Sequence, residues 1–322
     1  MAGGAALIRL RAYLRGILSY VPAVDRLFAV ATKGSDSPRY CYAVWLRHLV
    51  CASREGLNGS PPVVAELGPG DSVGVGLAAL LCGTERYEAL DAVDYTRLDR
   101  NLDTLESLVE LFTRREPIPG DDEFPAVEPR LSDYAFPSDL LESRLDEALR
   151  RDRVRAIRSA LIRPGRVCDG IAISYRAPWD DARVVRTAGV DAVVSQAVFE
   201  HVDDPAGSHC AVHDWLRPGG WASHTIDCSA HYLSSRWNAH WTVGRAAWKV
   251  IRGRRPWLLN REPASRHLAW MRQAGLEPLR VERVYADSEI DKRQLAGEFR
   301  TLSDEDLRTR GLYVLARRPP LI

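Results

Sequence analysis

A glycine-bearing turn is the first place in this sequence where residue types and spacing could do chemistry. In VVAELGPGDSVGVGLAALLCG, an apolar run ends at Glu66, and Gly68 and Gly70 follow before a run of small apolar residues. Glycines let a backbone turn sharply and approach a ligand closely. Asp91 ends the next apolar run, where its carboxylate could accept both hydroxyls of a ribose, and Glu66 would suit a cofactor with a positive amino group. By itself, the turn also allows a purely structural role.

The turn does not match the nucleotide-binding loops that it first suggests. The dinucleotide pattern G-x-G-x-x-G fails at Val73, and Gly74 does not restore the spacing. A Lys followed by Ser or Thr, which would close a Walker-type loop, is also missing. The loop therefore disfavours a dinucleotide or a nucleoside triphosphate.

A second polar group follows the apolar run Val190–Val194 in VDAVVSQAVFEHVDDP. Ser195 and Gln196 come at the end of this run, and His201 lies next to an acidic residue shortly afterwards. Histidine is the side chain best suited to act as a base near neutral pH. Alternatively, His201 caps the following helix or holds its acidic neighbours in place.

The segment after the next apolar run is rich in histidine and tryptophan. In SHTIDCSAHYLSSRWNAHWTVGRAAW, His231 and His240 could contact an acceptor, although aromatic residues at such spacing also form cores. Asp227 and His231 lack a convincing third ligand, so we predict no metal site. The basic run RGRRPWLLNR that follows could clamp a phosphate or carboxylate, or form a solvated loop.

Apolar runs alternate with helix-like segments from about residue 61 onward. We predict strands at Val63–Leu67, Arg86–Leu90, Gly170–Ser174, Val190–Gln196 and Gly220–Ile226. This alternation is typical of a parallel sheet covered on both faces. The late runs LEPLRVERVYAD and GLYVLARR could finish the sheet as an antiparallel pair.

The chain divides into a helical N-terminal region, residues 1–60, and a larger domain, residues 61–322. In the first region, SPRYCYAVWLRH could cover a cofactor or pack against the sheet. Residues 117–164 are too long for a simple crossover, so we predict an insertion there. At the N-terminus, Leu7, Leu10, Leu14, Ile17 and Leu18 fit one helical face, which we expect to pack on the protein's own body rather than on a membrane surface.

Net charge and cysteine content indicate which kinds of binding partner are disfavoured. The 322 residues include 44 basic and 43 acidic ones, so no net field attracts nucleic acid. The six cysteines have no metal-ligand spacing, which favours reduced thiols and a cytoplasmic location. Arginines interrupt the N-terminal apolar residues, so we expect neither a signal peptide nor stable membrane insertion.

Four motifs in order make the chain resemble the class I S-adenosylmethionine-dependent methyltransferases. They are the glycine loop, the acidic strand end at Asp91, the SQAVFEHVDD strand end and the LRPGG turn, and the resemblance covers roughly residues 63–317. The strings SPRYCYAVWLRHL, YRAPWDD, WNAHW and WKVIRGRRPWLLNREP further resemble uncharacterised bacterial members associated with polysaccharide or small-molecule biosynthesis. The resemblance implies an α/β, Rossmann-like, doubly wound sheet of seven mostly parallel strands with an antiparallel last strand, plus an N-terminal helical cap.

The resemblance also implies roles for individual residues. Glu66, Gly68 and Gly70 would line the amino-acid part of S-adenosylmethionine, and Asp91 would bind its ribose. The adenine would lie near Ala177, Pro178, Trp179 and Asp180, and the methionine moiety or its methyl group would face Ser195 and Gln196. The chain departs from the common pattern at Ser72, where a third glycine usually stands.

The function implied is methyl transfer to a small-molecule or glycan-type acceptor, with oxygen the favoured acceptor atom. The candidate catalytic residues are His201, His231 and His240, and residues 228–261 would cover the acceptor. Two alternatives are an NAD(P)-dependent oxidoreductase on a similar sheet and a non-catalytic cofactor-binding or scaffold protein. The acceptor and the oligomeric state stay open.

Overall fold

Strands alternate with helices through most of the chain. The computed structural model describes residues 2–21, 35, 37–57, 60–179, 181–255 and 258–321, with side chains from residue 10 onward. The strands are β1 (Val63–Leu67), β2 (Arg86–Leu90), β3 (Val167–Cys168), β4 (Ile171–Arg176), β5 (Val190–Gln196), β6 (Leu216–Asp227), β7 (Glu277–Tyr285) and β8 (Thr309–Arg317). The helices are α1 (Ala2–Leu18), α2 (Pro38–Arg54), α3 (Gly74–Leu81), α4 (Leu98–Thr113), α5 (Ser138–Ala148), α6 (Arg151–Ile162), α7 (Pro205–Trp215), α8 (Arg245–Arg252), α9 (Ala264–Gln273) and α10 (Asp304–Arg308).

The strands form one sheet in the order β3-β4-β2-β1-β5-β6-β8-β7. The neighbours from β4 to β6 pair in parallel, whereas β8 runs antiparallel to both β6 and β7. The predicted Rossmann-like, mostly parallel sheet with an antiparallel last strand is thereby confirmed. The sheet has one strand more than the predicted seven, because the two-residue β3 pairs antiparallel with β4 at the edge.

The central strands have the predicted bounds, and two others extend further. β4 continues to Arg176 because this residue pairs with Leu90 of β2. β6 begins at Leu216, before the Pro-Gly-Gly turn, because Leu216 pairs with Val190 ahead of a local irregularity.

Helices cover both faces of the sheet, each over its own apolar cluster. One cluster joins the helices from α2 to α6 to one face, and the other joins α7 and α9 to the opposite face. β5 is buried along nearly its whole length, as expected for a parallel strand covered on both sides. β1 lies between β2 and β5, and the strand order reverses direction at β1. At such a reversal, a crevice opens at the carboxyl ends of the strands.

Helix α2 packs into the core instead of lying over an open crevice. The Ser37 hydroxyl caps its N-terminus, Pro38 stands in its first turn, and residues 41–52 are buried. On its buried side, Nδ1 of His48 lies 2.6 Å from Oγ of Ser223 in β6. Of the two interpretations of SPRYCYAVWLRH, packing against the sheet is the one that the structure supports.

Helix α1 packs on α8 through its small residues. Ala12 is 7% exposed, and a Cβ on Gly16 would collide with the backbone of α8. The residues of the predicted packing face are about half exposed, at 55% for Leu10, 49% for Leu14 and 56% for Ile17. The helix therefore packs on the protein's own body, as expected, but through its small residues and not through the leucines and isoleucine of the predicted face, because close approach of two helices selects the face with the smallest side chains. No helix among the described residues has both the length and the apolar character needed to cross a lipid bilayer.

The long connection between β2 and β4 carries α4, α5 and α6. Its irregular part is held by Arg47 of α2, a fully buried guanidinium that donates to the carbonyl oxygens of Pro119, at 2.7 Å, and Val127. This connection thereby approaches the carboxyl ends of β5 and β6, where the carbonyl oxygen of Glu128 accepts hydrogen bonds from Gln196 and Thr225.

Candidate functional site

Glu66, at the carboxyl end of β1, is a buried carboxyl that forms no ion pair with any described residue. Its side chain is only 5% exposed, and its Oε2 accepts a 2.5 Å hydrogen bond from the Tyr87 hydroxyl of β2. Burial raises the pKa of Glu66 to about 8, partly opposed by the Tyr87 hydrogen bond, and the nearby charge that acts on it is the negative one of Asp91. This carboxyl is therefore positioned to gain from any cation that enters the crevice.

Gly76 of α3 gives the Tyr87 ring the space to reach Glu66. A Cβ at Gly76 would overlap the Tyr87 ring, and the Gly76 amide also donates to the Glu66 carboxylate. A glycine inside a helix lowers helix stability. Here its cost is offset by the close packing of a tyrosine that holds the carboxylate.

The turn after β1 has glycine at two positions of positive φ. Gly68 has φ +67° and Gly70 has φ +71°, a region in which other residues are strained. A Cβ on Gly68 would lie 2.5 Å from Cγ2 of Val198, in the loop after β5. The first glycine is thus required by packing against Val198 as well as by the turn.

Asp91, at the end of β2, is tied to this turn. Its Oδ2 accepts a 3.0 Å hydrogen bond from the Gly70 amide, and its Oδ1 accepts a 2.7 Å hydrogen bond from the Ala92 amide. Burial raises the pKa of Asp91, and these backbone hydrogen bonds oppose the shift. The amides of Gly70, Ala92 and Val93 all act on this carboxylate, which leaves it acceptor capacity for a ligand hydroxyl.

Three further amides of this segment donate to side chains. The Ser72 amide donates to Oγ of Ser35 at 3.1 Å, and the Val73 amide donates to Oδ1 of Asn101 at 3.1 Å. The Gly74 amide, at the start of α3, donates to Oγ of Ser72 at 3.2 Å. Amides that are already paired cannot also cradle a pyrophosphate, so this loop is built differently from a phosphate-binding one.

The predicted adenine region lies beside Asp91. The Trp179 amide donates to the carbonyl oxygen of Asp91 at 3.0 Å, and the Trp179 ring stands edge-on to Trp215, with 5.5 Å between centroids. Ala177 and Pro178 precede it directly after β4. Asp180 lies outside the described residues.

Ser195 and Gln196, at the end of β5, both have partners within the protein. Ser195 is 1% exposed, with its Oγ 2.8 Å from Nδ1 of His224. Oε1 of Gln196 lies 3.2 Å from Nε2 of His48, and its amide donates to the carbonyl oxygen of Glu128 at 3.1 Å. These contacts give both residues a structural role, and their approach to a cofactor stays a prediction.

The structure brings two of the three candidate catalytic histidines together. The ring centroids of His201 and His231 are 5.3 Å apart, and both rings are partly exposed. His240 is 4% exposed and stacks obliquely on Trp241 at 4.5 Å. Burial, with the positive charge of Arg261, lowers the pKa of His240 to about 3, so this ring is neutral at ordinary pH and a weak base.

The basic run after α8 is largely committed to internal contacts. Arg252 pairs with Asp203, and Arg261 is 8% exposed, with its guanidinium 4.4 Å from the centre of the Trp248 ring. Arg255 donates to the carbonyl oxygen of Ile251. Trp257 lies outside the described residues. These contacts favour a structural role for the run over an anion clamp.

Several residues of the site were not singled out by their sequence pattern. Tyr87 carried no signal beyond its place in β2, and Ser35 and Asn101 lie far along the chain from the loop that they bind. Glu200 is the acidic residue next to His201. From the sequence, we considered it only as a neighbour that His201 could hold in place. Contacts between distant segments connect all four to the site.

Comparison with known proteins gives structural likeness only. No family model matches the sequence, and no curated protein matches it. Among solved structures, an S-adenosylmethionine-dependent methyltransferase from Mesorhizobium loti is 14% identical over 81% of this chain and 92% of that one, with a TM-score of 0.39. A geranyl diphosphate C-methyltransferase from Streptomyces coelicolor is 11% identical over 85% of this chain and 78% of that one, with a TM-score of 0.43. At such values the likeness carries no weight for function, and the fold class rests on the chain's own strand order.

Proposed function

We propose that this protein is an S-adenosylmethionine-dependent methyltransferase acting on a small-molecule or glycan-type acceptor. The observation that carries the proposal is the placement of Glu66 and Asp91 at the carboxyl ends of the adjacent strands β1 and β2, on either side of the Gly68–Gly70 turn. In an open α/β sheet, ligands bind at this position.

The residues present fit this cofactor. Glu66 is a buried carboxyl, and the charge near it is the negative one of Asp91. A bound ammonium group would therefore stabilise its charged form. Asp91 keeps acceptor capacity for a ribose hydroxyl, and Trp179 beside it offers an apolar wall for a base. When bound, S-adenosylmethionine supplies a methyl group made electrophilic by its sulfonium.

The acceptor would lie over His201 and His231. One of these imidazoles would take the proton from an acceptor hydroxyl, since histidine accepts protons near neutral pH. Oxygen is the favoured acceptor atom because two partly exposed imidazoles stand together there.

We further propose that residues 1–60 form a helical cap on a domain of residues 61–322, with an insertion at 117–164 and an acceptor cover at 228–261.

A nicotinamide-dependent oxidoreductase is disfavoured by the loop amides. Gly70, Ser72 and Val73 donate to side chains of the protein, which leaves a pyrophosphate without these donors. A non-catalytic cofactor-binding protein would have the same cofactor-binding residues as a methyltransferase. Only a measurement of methyl transfer distinguishes the two.

Calorimetric titration separates these functions. We expect saturable binding of S-adenosylhomocysteine and no response to NAD. Saturable NAD binding without a response to S-adenosylhomocysteine would overturn the proposal. Incubation with methyl-labelled S-adenosylmethionine and a fractionated extract of metabolites and glycans should then label an acceptor. Cofactor binding without label transfer would instead identify a binding module.

A further inference from the structure

Two loops at the carboxyl end of the sheet bring a carboxylate and two imidazoles together. Glu200 and His201 follow β5, and His231 lies in a short turn after β6. One ligand atom from each of these three residues lies within 4.8 Å of the other two. Both rings are partly exposed, so solvent reaches the cluster.

Glu200 is an unusual member of this cluster because it is buried without a side-chain donor. It is 4% exposed, and no described side chain donates a hydrogen bond to either of its carboxylate oxygens. Burial and, to a smaller extent, the charge of Asp227 raise the pKa of Glu200 well above its usual range, and the backbone amides of Glu200 and Asp227 oppose the shift only in part. A carboxylate is costly to bury without a compensating cation.

The loops that carry the cluster are held in place by other contacts. The Asn260 side-chain amide donates to the carbonyl oxygens of Phe199, at 2.6 Å, and Val202, at 2.9 Å, on either side of Glu200 and His201. His231 has φ +48°, a strained conformation for a residue with a side chain. Such strain is concentrated at functional sites.

We propose that Glu200, His201 and His231 bind a divalent transition-metal ion. Two imidazoles and one carboxylate suit zinc, manganese, iron or cobalt better than magnesium or calcium, which prefer oxygen ligands. Metal–ligand bonds of about 2.1 Å place ligand atoms roughly 3.0–3.4 Å apart, so the cluster would close by at most roughly 1.5 Å on binding.

Asp227 lies where it can orient one ligand of this site. Its Oδ2 is 3.6 Å from Nε2 of His231, and its Oδ1 accepts a 2.8 Å hydrogen bond from the Ser229 amide. A carboxylate beside a metal-bound imidazole fixes its ring orientation and raises its basicity. Asp227 is thus a positioning residue for His231.

Three protein ligands leave coordination positions open to an acceptor. An acceptor hydroxyl bound there would lose its proton to water more readily, because the ion lowers its pKa. This role rests on the proposed methyl transfer, and in it His201 and His231 act through the ion instead of as free bases. Metal binding itself does not depend on that function.

Metal binding can be measured directly on the tag-free full chain after dialysis against EDTA. We expect zinc to bind with one ion per chain in calorimetry, and cobalt to give a visible ligand-field spectrum. His231→Ala should weaken binding by more than about tenfold. Glu200→Gln keeps the side-chain shape and should weaken it as well. His213→Ala is the matched control, because His213 lies outside the cluster, beside Asp214 at 3.1 Å, and should bind like the wild type.

Two results would overturn the site: absence of zinc binding to the wild type, or equal affinity in the wild type, His231→Ala and Glu200→Gln. Thermal melting of each variant checks that it is folded, and Glu200→Gln keeps the test decisive if His231→Ala unfolds. Titration of the metal-free chain with S-adenosylhomocysteine tests the cofactor site separately. Failure of the metal site would leave that binding intact, whereas failure of the proposed function would abolish it.

Discussion

The Tyr87 hydroxyl donates a 2.5 Å hydrogen bond to the buried carboxylate of Glu66 across the adjacent strands β1 and β2. This bond favours the charged form of Glu66 in a place where burial disfavours it. Tyr87 therefore prepares Glu66 to receive a cationic ligand group.

Tyr87→Phe should weaken binding of S-adenosylhomocysteine by about tenfold, equivalent to about 1.4 kcal/mol, since the carboxylate loses its side-chain donor. Calorimetric titration measures the change. Tyr42→Phe is the control, because the Tyr42 hydroxyl donates at 2.7 Å to the carbonyl oxygen of Glu116, away from Glu66. Unchanged affinity in Tyr87→Phe would show that Glu66 does not contact a cationic group of the ligand.

Asp91→Asn should also lower cofactor affinity by roughly tenfold or more, because a carboxylate accepts from ribose hydroxyls more strongly than an amide does. The asparagine oxygen can still accept from the Gly70 amide, but the NH2 group cannot accept from the Ala92 amide, so thermal melting should first show that the variant is folded. Equal affinity in the variant and the wild type would remove Asp91 from the ribose contact.

Stability should depend on pH through Glu66. Burial raises its pKa from 4.5 to about 8, so between these values the folded chain holds a proton that the unfolded chain has released. The contribution of this carboxyl is favourable at low pH and is lost as the pH rises towards the folded-state pKa. We expect the wild type to lose stability relative to Glu66→Gln between about pH 5 and about pH 8.5 in urea denaturation. A difference that stays constant over this range would contradict the shift.

Gly76→Ala should destabilise the fold by about 1–3 kcal/mol, because the new methyl group overlaps the Tyr87 ring and forces it to move. Gly244→Ala is the matched control, since a Cβ there meets nothing within 4 Å. Denaturation midpoints compare the two, and cofactor affinity should fall only in Gly76→Ala. Equal stability of both variants would show that the ring is not held against α3.

Thiol reactivity tests the packing of the helices. Cys210 is exposed and Cys168 is half-buried, whereas Cys41, Cys51, Cys82 and Cys228 are buried. Burial raises the pKa of Cys82 to about 12, so its reactive thiolate is scarce. Ellman's reagent should find one fast thiol in the native protein, a slower second one, and the others only after unfolding. Cys210→Ser should remove the fast phase, and several fast thiols would contradict this packing.

Local sequence pattern was enough to predict the sheet. Apolar runs that end in a glycine turn, an acidic residue or a polar Ser-Gln pair gave the bounds of β1, β2 and β5, because buried parallel strands need continuous apolar side chains. The same pattern placed Glu66 and Asp91 at neighbouring strand ends. These features depend on residues close together in the chain.

Tertiary structure alone decided which distant side chains meet. Gly68 packs against Val198, and Tyr87 reaches Glu66 over Gly76. Helix α1 turns its small residues, not its leucines, towards α8, because backbone proximity decided the packing face. Glu200 and His231 meet because β5 and β6 end side by side, a consequence of strand order and register that no local spacing contains.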